Sequence, residues 1–381
     1  MKPVLIMFGG VSAEHEVSII TGLQVLEHID TTIYKPFVVY IDKSGNSFWL
    51  ENCKRRSNFY SSRRRTISFG KDKSGAFIKV DGIGNKKIYP YAAYLAFHGG
   101  SGEGGQIQGL LESIGLPFTS SGQESSVITM NKELTRRAAK NADISIAPGM
   151  SLFGAEIQKD AATATARIID TLSLPVIIKP VHLGSSIGLN IARTDVELQK
   201  FLLEAAFIDG EILVEKYLSL SAEYNCAVRA INGSIETSVI ERPVSKDEIL
   251  SFADKYQRGA KKSGDGMASL SRELPAKIDE ALRRDIESMA KRIFVACGCK
   301  GMVRVDFMLT TDNTLYLTEV NPIPGSMAFY LWEASGISFK QQISDLIEQA
   351  IRDEAQMKSM HLDYKTDIVE KFIAQERTAD Q

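Results

Sequence analysis

Cysteine, tryptophan and histidine are scarce in this chain, which has four, two and five of them among 381 residues. The cysteines do not form two clusters with the spacing of zinc ligands, so we expect reduced thiols and a cytoplasmic protein. Long apolar runs are missing too, since residues 4–8 are too few for a signal peptide and no segment reaches transmembrane length. The sequence therefore predicts neither a secreted nor a membrane-spanning protein.

The charge of the chain is nearly balanced, with a formal net charge of −2. This balance argues against a general nucleic-acid or membrane-surface binder. The first strand is not followed by the G-x-G-x-x-G fingerprint of dinucleotide-binding folds, which argues against a dehydrogenase, and the chain has no Walker A loop. The length of the chain suggests two or three domains.

Residues 301–325, GMVRVDFMLTTDNTLYLTEVNPIPG, predict a strand, a turn and a second strand. Apolar residues alternate with Arg304 and Asp306 in the first strand, and Glu319 and Asn321 are two apart in the second, so each pair shares a face. The oxygens of Asp306, Glu319 and Asn321 form the hard ligand set that suits Mg²⁺. The alternative is a hairpin with an Arg304–Asp306 ion pair on a solvated face.

Two other short strands end in glycines, which allow backbone amides to approach a ligand closely. Residues 4–8 lead into GG and then SAEHE, at the carboxyl end of a strand, where open α/β sheets bind ligands. Residues 94–97 lead into HGGSGEGG. The alternatives are a solvated first helical turn around Glu14 and a merely flexible turn after His98.

Charged side chains end two apolar runs in the middle of the chain. Lys179 precedes the small, hydroxyl-bearing loop 184–188, and a cation beside such a loop suits a phosphate. Glu215 ends the second run, with Glu223 further along, and an acceptor there suits an adenine amino group or ribose hydroxyls. Taken singly, each of these charges is more often solvent-facing than a ligand.

Helical and irregular segments separate these strands. Helical patterns cover residues 125–148, 155–172, 275–298 and 338–351. Residues 248–269 predict a lid or a disordered loop, and the polar, basic residues 43–74 predict a solvated surface excursion. The charged residues beyond 353 predict a loose helix or tail.

Six motifs follow one another in the order GGVSAEHEVS, HGGSGEGGQIQGLLE, KPVHLGSSIGL, LVEKYL, FADKY and RVDF with TEVNPIPG. Together they resemble the D-alanine–D-alanine ligases of the ATP-grasp superfamily. The resemblance implies an α/β ATP-grasp fold with ATP clasped between the second and third of three domains. The units it implies are a Rossmann-like domain at 1–127, a central subdomain at 128–218, a catalytic subdomain at 219–353 and a charged tail at 354–381.

The resemblance also implies roles for the nucleotide and metal residues. Those that would contact the phosphates, adenine or ribose of ATP are Lys132, Lys179, Ser185, Ser186, Glu215 and Glu223. Those that would bind two Mg²⁺ ions, or Mn²⁺ in their place, are Asp306, Glu319 and Asn321.

For the first D-alanine, the resemblance implies that Glu14 holds the ammonium group, with His98 nearby. Arg304 and the backbone amide of Gly325 would steady the anionic intermediate.

The lid and the acceptor site complete the implied set. Tyr256 and Ser185 would bond to Glu14 and close the lid, while Lys255 would pair with the acceptor carboxylate. Tyr330 stands where the family commonly has a serine that binds that carboxylate, and its phenol is expected to donate the same hydrogen bond.

Other positions depart from the family pattern without touching the chemistry. Asn131 stands where the family usually has Asp before the lysine, Gly104 replaces another Asp, and the interval from Glu215 to Glu223 is one residue longer than usual.

The predicted function is cytoplasmic, ATP-dependent ligation of two D-alanines through an acyl phosphate, for peptidoglycan precursors. We expect small-molecule substrates, a homodimer, and neither nucleic acid nor membrane as partners. The alternatives are a related ligase with D-serine, D-lactate or another amino acid as acceptor, and a catalytically inactive nucleotide-binding regulator. Intact Lys179, Arg304 and Asp306 speak against the regulator.

Overall fold

The protein is described by a computed structural model that covers residues 1–82, 84, 86–184, 186–244, 272–359 and 366–379. The strands of the first sheet are β1 (Lys2–Gly9), β2 (Tyr34–Ile41), β3 (Ser47–Glu51), β4 (Arg63–Asp72), β5 (Gly75–Val80), β6 (Lys87–Ile88) and β7 (Ala92–Leu95). Their order is β6-β5-β4-β3-β2-β1-β7. Strand β1 pairs in parallel with β2 and β7, and the other neighbours are antiparallel.

The antiparallel half of this sheet corrects one prediction. Residues 43–74, expected to be a solvated excursion, contain β3 and β4. Ile67 on β4 and Ile78 on β5 are buried in the first core, while Arg64 is exposed over the Tyr40 ring and Arg65 pairs with a carboxylate of β3. A thin apolar face is therefore enough to fold a strongly basic segment.

Three helices accompany the first sheet, namely α1 (His15–His28), α2 (Gly100–Glu103) and α3 (Gln106–Ile114). Helix α1 packs closely on β1. A Cβ atom at Gly22 would stand only 2.1 Å from the Phe8 ring, so this position has no room for a side chain. Its buried face includes Ser18 and Thr21, whereas Ile20 is exposed. The contact face of α1 thus combines small residues with Val25 and Leu26.

The second sheet is antiparallel and carries the middle of the chain. Its strands are β8 (Gly149–Phe153), β9 (Val176–Pro180), β10 (Asn190–Ala192) and β11 (Glu211–Lys216), in the order β10-β9-β11-β8. The helices of this part are α4 (Gln123–Met130), α5 (Lys132–Asn141), α6 (Gly154–Lys159), α7 (Ala161–Leu172) and α8 (Asp195–Ile208).

Two of the segments that were predicted as single helices, 125–148 and 155–172, each contain two helices. The breaks fall at Asn131 and Asp160, whose side chains accept hydrogen bonds from Leu134 N at 2.9 Å and Thr163 N at 3.0 Å. Both side chains are N-caps, and an N-cap residue begins a new helix. The apolar periodicity continues across it and therefore does not show the break.

The third sheet follows, with strands β12 (Leu220–Ile231), β13 (Ser234–Pro243), β14 (Arg272–Glu273), β15 (Met302–Thr310) and β16 (Leu315–Asn321), in the order β14-β13-β12-β15-β16. The remaining helices are α9 (Glu280–Ala296), α10 (Phe329–Ala334), α11 (Phe339–Lys358) and α12 (Ile368–Ala379). Helix α9 was predicted to open at Pro275 but begins at Glu280, because Asp279 caps Leu282 N at 2.8 Å.

Three apolar cores correspond to the sheets, but the first is assembled from both ends of the chain. Leu346 and Ile347 of α11 share it with Val4 and Tyr94 of the first sheet. Because the first core mixes residues from both ends, the predicted domain limits stay a prediction. No helix in the described ranges is long and apolar enough to cross a bilayer.

Candidate active site

Two adjoining cavities lie where the three sheets approach one another. The larger, of about 230 Å³, lies between the second and third sheets, and the smaller, of about 50 Å³, lies between the third sheet and loops of the first. The residues that line both are Lys132, Leu183, Gly184, Arg304 and Glu319. These shared residues make the two cavities parts of one site.

The larger cavity brings together most of the residues predicted to bind ATP and metal. Those that line it are Lys132, Lys179, Ser186, Glu215, Glu223, Asp306 and Glu319. Apolar side chains form another part of its wall, including Ile177, Ile191, Leu218 and Met308. The cavity therefore offers an apolar region beside a charged one, as a nucleotide requires.

Two lysines lie on the charged side. The ammonium of Lys179 stands 2.5 Å from Glu215, whose other oxygen is paired with Arg136. Lys132 donates to the carbonyl of Leu183 at 2.6 Å and lies 3.9 Å from Glu319. Burial lowers the pKa of Lys132, opposed by the charge of Glu319.

The loop after β9 links the two cavities. Gly184 approaches the first part of the chain so closely that a Cβ atom there would stand 3.1 Å from Glu14 Oε2. Ser186 and Gly188 both have positive φ angles, of 60° and 71°. The loop is thus folded closely over the junction of the cavities, where Gly184 leaves little room for a side chain.

One row of polar side chains crosses the third sheet. Glu241, Asn225, Asp306 and Glu319 are successive cross-strand partners on β13, β12, β15 and β16. Directly opposite residues of antiparallel strands share a face, so the row confirms the predicted hairpin and extends it by two strands. All four line the larger cavity.

Arg304 stands beside this row. Its Nε and Nη2 atoms donate to the two carboxylate oxygens of Asp306, both at 2.7 Å, and Asn321 Nδ2 lies 3.1 Å from Asp306 Oδ2. The Arg304–Asp306 ion pair of the alternative interpretation, a hairpin on a solvated face, is therefore present. Arg304 is only 8% exposed, however, so the face is not the solvated one that the alternative required.

The hairpin face fits a hard divalent cation. Asp306 and Glu319 are directly opposite, and Asn321 follows two residues later on the same face. Opposite residues have Cβ atoms about 4.5–5.5 Å apart, which is close enough for two carboxylates to share an ion. All three side chains carry oxygen donors, the ligands that Mg²⁺ prefers.

Two carboxyl groups face each other in the smaller cavity. Glu14, just before α1, and Glu103, at the end of α2, are both buried and line it. Glu103 accepts hydrogen bonds from Gly99 N at 2.7 Å and Ile323 N at 3.2 Å. Burial and then the charge of Glu14 raise the pKa of Glu103 to about 8.

Glu103 was missed in the sequence analysis, although it lies within the glycine-rich stretch that was singled out. A carboxyl group inside such a loop, at the carboxyl end of a strand, is a signal that sequence reasoning can use. The elevated pKa comes from burial among residues distant in sequence, and no local pattern shows it.

His98 is buried in the same cavity and has a fixed partner. Its Nε2 atom lies 2.8 Å from the hydroxyl of Thr21. Burial lowers the pKa of His98 to about 4, and the charge of Arg304 acts in the same direction. The imidazole is therefore neutral near pH 7, and it adds a polar group but no charge.

Gly325 lines the smaller cavity at the start of an unusual turn. The next three residues, Ser326, Met327 and Ala328, all have φ between 45° and 54°. Non-glycine residues in this region cost about 1–3 kcal/mol each and persist where the surroundings hold them. Here Gln342 Nε2 donates to the Met327 carbonyl at 2.8 Å.

Tyr330 lies behind this wall and lines neither cavity among the described residues. Its hydroxyl donates to Glu241 at 2.9 Å, and the Arg272 guanidinium lies 4.3 Å from its ring centroid. Glu241 also accepts from Asn225 at 3.1 Å and pairs with Arg272 at 2.8 Å. The phenol is thus engaged inside the protein rather than directed at a substrate.

Three predicted residues lie outside the described ranges. They are Ser185, Lys255 and Tyr256. Their assigned roles, in the phosphate loop, at the acceptor carboxylate and in lid closure, stay predictions.

Comparison with protein families finds two matches along the chain. The model described as D-ala D-ala ligase N-terminus matches residues 3–121, and the one described as D-ala D-ala ligase C-terminus matches residues 138–348. A D-alanine–D-alanine ligase of Thermosipho africanus is 34% identical over 369 residues, which cover 94% of this chain and 96% of the relative. One of Chlorobium chlorochromatii is 32% identical, covering 91% and 97%.

Solved structures show the same fold. The D-alanine–D-alanine ligase of Coxiella burnetii superposes with a TM-score of 0.78 at 24% identity, over 99% of both chains. The VanG D-Ala:D-Ser ligase of Enterococcus faecalis gives a TM-score of 0.76 at 25% identity, over 92% of this chain and 99% of that one. The predicted α/β ATP-grasp fold is thereby confirmed.

Proposed function

The chain belongs to the D-alanine–D-alanine ligase family, and from that premise we propose that it joins two D-alanine molecules, using ATP, to supply D-alanyl-D-alanine for peptidoglycan precursors. The observation that carries the proposal is the pair of cavities that meet at Lys132 and Arg304. One has the lining for a nucleotide, and the other has the charges for an amino acid.

The chemistry requires such a pair of cavities. A carboxylate is a poor acyl donor, because its leaving group would be oxide. Transfer of the γ-phosphoryl group of ATP to the carboxylate of the first D-alanine gives an acyl phosphate and ADP. The amine of the second D-alanine then attacks the acyl carbon, and phosphate leaves as the amide forms. A closed site keeps water from the acyl phosphate.

In the larger cavity, Lys132 and Lys179 are the proposed partners of phosphate oxygens, under the loop that carries Ser186. Glu215 and Glu223 lie at the same cavity and suit the amino and hydroxyl groups of adenosine. Lys179 and Glu215 are both assigned to the nucleotide, so the ion pair between them must break when the nucleotide binds.

Mg²⁺ would be held by Asp306, Glu319 and Asn321, with Mn²⁺ as an alternative. A divalent ion held there would supply positive charge against the phosphate oxygens of the nucleotide. The chain's own contribution is the rigid hairpin, which holds three oxygen donors on one face, and Arg304, which is bonded to Asp306.

In the smaller cavity, Glu14 is the partner for the ammonium group of the first D-alanine. Arg304 and the amide of Gly325 line the same cavity and suit the carboxyl oxygens that become the oxyanion. His98 is neutral, is bonded to Thr21 and adds no charge to this wall. Glu103, beside Glu14, keeps a proton near neutral pH and limits the negative charge at this end.

We propose D-alanine as acceptor, with D-serine, D-lactate or another amino acid as the alternatives. Lys255 stays the proposed partner of the acceptor carboxylate. Tyr330 is no longer proposed to touch it, because its hydroxyl is bonded to Glu241. A homodimer and a cytoplasmic location remain part of the proposal.

Product analysis tests this function. The protein is incubated with ATP, Mg²⁺ and D-alanine, alone and in competition with equal concentrations of D-serine, D-lactate or glycine. We expect D-alanyl-D-alanine as the main product, with phosphate release that depends on D-alanine. A dominant mixed dipeptide or depsipeptide would replace the acceptor assignment, and ATP binding without any phosphate release would favour the inactive regulator.

A further inference from the structure

The loop that follows β9 and begins at residue 181 is here called the phosphate-side loop. The start of this loop is held by a residue that has no role in the proposed reaction. His182 follows β9 and precedes Leu183 and Gly184, which line both cavities. Its backbone N–H donates to Asp209 Oδ2 at 2.7 Å, and its ring lies between Asp209 and Asn131. His182 therefore joins the loop to the end of α8 and to the start of α5.

The hydrogen bonds of Asn131 fix which way its amide points. As the N-cap of α5, Asn131 accepts from Leu134 N through Oδ1 at 2.9 Å. A backbone N–H is always a donor, so this contact assigns the oxygen and leaves Nδ2 facing the ring of His182. The distance from Asn131 Nδ2 to His182 Nε2 is 3.1 Å.

The imidazole must match these two neighbours. Asp209 Oδ1 lies 2.8 Å from Nδ1 of His182, so Nδ1 carries a hydrogen. Nε2 faces an amide donor and must then be the unprotonated acceptor. Both contacts are satisfied only by the neutral imidazole, because an imidazolium would set an N–H against the Asn131 amide.

We propose that neutral His182 clamps the phosphate-side loop to the start of α5, and that protonation of the imidazole releases the clamp and weakens nucleotide binding. The inference rests on the proposed function, in that it takes the larger cavity as the nucleotide site. His182 lines neither cavity in the described structure and is a positioning residue.

The adjacent residue on α5 explains how the clamp reaches the nucleotide. Lys132 follows Asn131, its N–H donates to the Val181 carbonyl at 3.2 Å, and its ammonium donates to the Leu183 carbonyl at 2.6 Å. Three successive loop residues, 181 to 183, are thus tied to the first turn of α5. Loss of the middle tie changes where the Lys132 ammonium stands relative to a phosphate.

Several charged groups act on the proton of His182. The hydrogen bond to Asp209 raises its pKa, partial burial lowers it, Glu211 raises it and Lys132 lowers it, with a net upward shift from the ordinary value of 6.5. The Asn131 amide opposes protonation, since a donor faces Nε2. The clamp is therefore released as the pH falls through this raised pKa.

The decisive variant is Asn131→Asp. Aspartate is as good an N-cap as asparagine, so α5 keeps its cap. Its second carboxylate oxygen accepts from Nε2–H, and the clamp then tolerates the imidazolium. His182→Gln is the matched control, because its amide is neutral at every pH and offers both a donor and an acceptor.

The experiment measures the affinity for Mg-ADP between pH 6 and 8.5 and, without nucleotide, the ring ¹⁵N shifts of His182. For the wild type we expect Nδ1–H and a bare Nε2 at pH 8, and a Kd that rises about three- to tenfold toward pH 6, as for one lost hydrogen bond. We expect a flatter Kd profile for both variants and a higher His182 pKa in Asn131→Asp. Titration of the nucleotide itself is common to all three proteins.

Parallel Kd profiles in the three proteins, or Nε2–H in the wild type at pH 8, would overturn the clamp. Tighter binding at low pH would overturn it too, because direct attraction between imidazolium and phosphate would then dominate. If the wild type bound no Mg-ADP at pH 8, the nucleotide site itself would be wrong. The ¹⁵N titration needs no nucleotide and would still decide whether Asn131 controls the proton.

Discussion

Replacing Glu103 by glutamine tests the electrostatics of the smaller cavity. The carboxyl group is buried, accepts two backbone N–H groups and lies near Glu14. These surroundings raise its pKa from an ordinary 4.5 to about 8. Glutamine has nearly the same shape and keeps an acceptor oxygen for Gly99 N, but it does not titrate.

The sign and size of the effect follow from proton linkage. Because the folded-state pKa is raised, the contribution of Glu103 to stability is fully present below pH 4.5 and is lost as the pH rises through about 8. Within that window the folded state holds one proton that the unfolded state has released. The free energy of unfolding of the ligand-free protein should then fall by about 1.4 kcal/mol per pH unit through this group alone.

Urea unfolding at pH 5.5, 6.5 and 7.5 measures this slope for the wild type and for Glu103→Gln. Trp49 and Trp332 both lie in the first core and report its unfolding by fluorescence. We expect the wild type to lose stability more steeply with pH than the variant, by the amount given above. The exposed Glu124→Gln on α4 is the control and should follow the wild type. Parallel pH dependences for the wild type and Glu103→Gln would refute the buried, protonated carboxyl.

Three further results are expected. Glu319→Gln should lower turnover by at least about a hundredfold at saturating Mg²⁺ with an unchanged circular dichroism spectrum, since a misplaced ion loses both position and charge stabilisation; wild-type turnover would contradict the metal site. Tyr330→Phe should lower the free energy of unfolding by about 1.5–3 kcal/mol, because Glu241 loses one buried hydrogen-bond donor. The ratio of D-alanyl-D-alanine to D-alanyl-D-serine in a competition assay should stay unchanged in this variant. A changed ratio would show that the phenol contacts the acceptor. Gly22→Ala should lower the Tm and cost about 1–3 kcal/mol, because the new methyl group overlaps the Phe8 ring, and an unchanged Tm would contradict the close packing of α1 on β1.

Period-two patterns predicted the hairpin correctly, because the partners Asp306 and Glu319 lie only 13 residues apart and alternation alone fixes their common face. Contacts between distant segments could not be predicted in this way. Glu241 and Tyr330 are 89 residues apart, and only the packing of α10 beside β13 brings them together. Asn131 was noted as a departure from the family, but its meaning depends on His182, which is 51 residues away.

The distribution of charge along the smaller cavity gives a substrate its direction. Glu14 and Glu103 line only this cavity, whereas two cations, Lys132 and Arg304, line both cavities together with one anion, Glu319, and therefore stand at the junction. His98 is neutral near pH 7, so it adds no positive charge beside the two carboxyl groups. A zwitterionic amino acid lowers its electrostatic energy by placing its ammonium group at Glu14 and its carboxylate at the junction. In that orientation the carboxylate faces the cavity that we propose as the nucleotide site, as its phosphorylation requires.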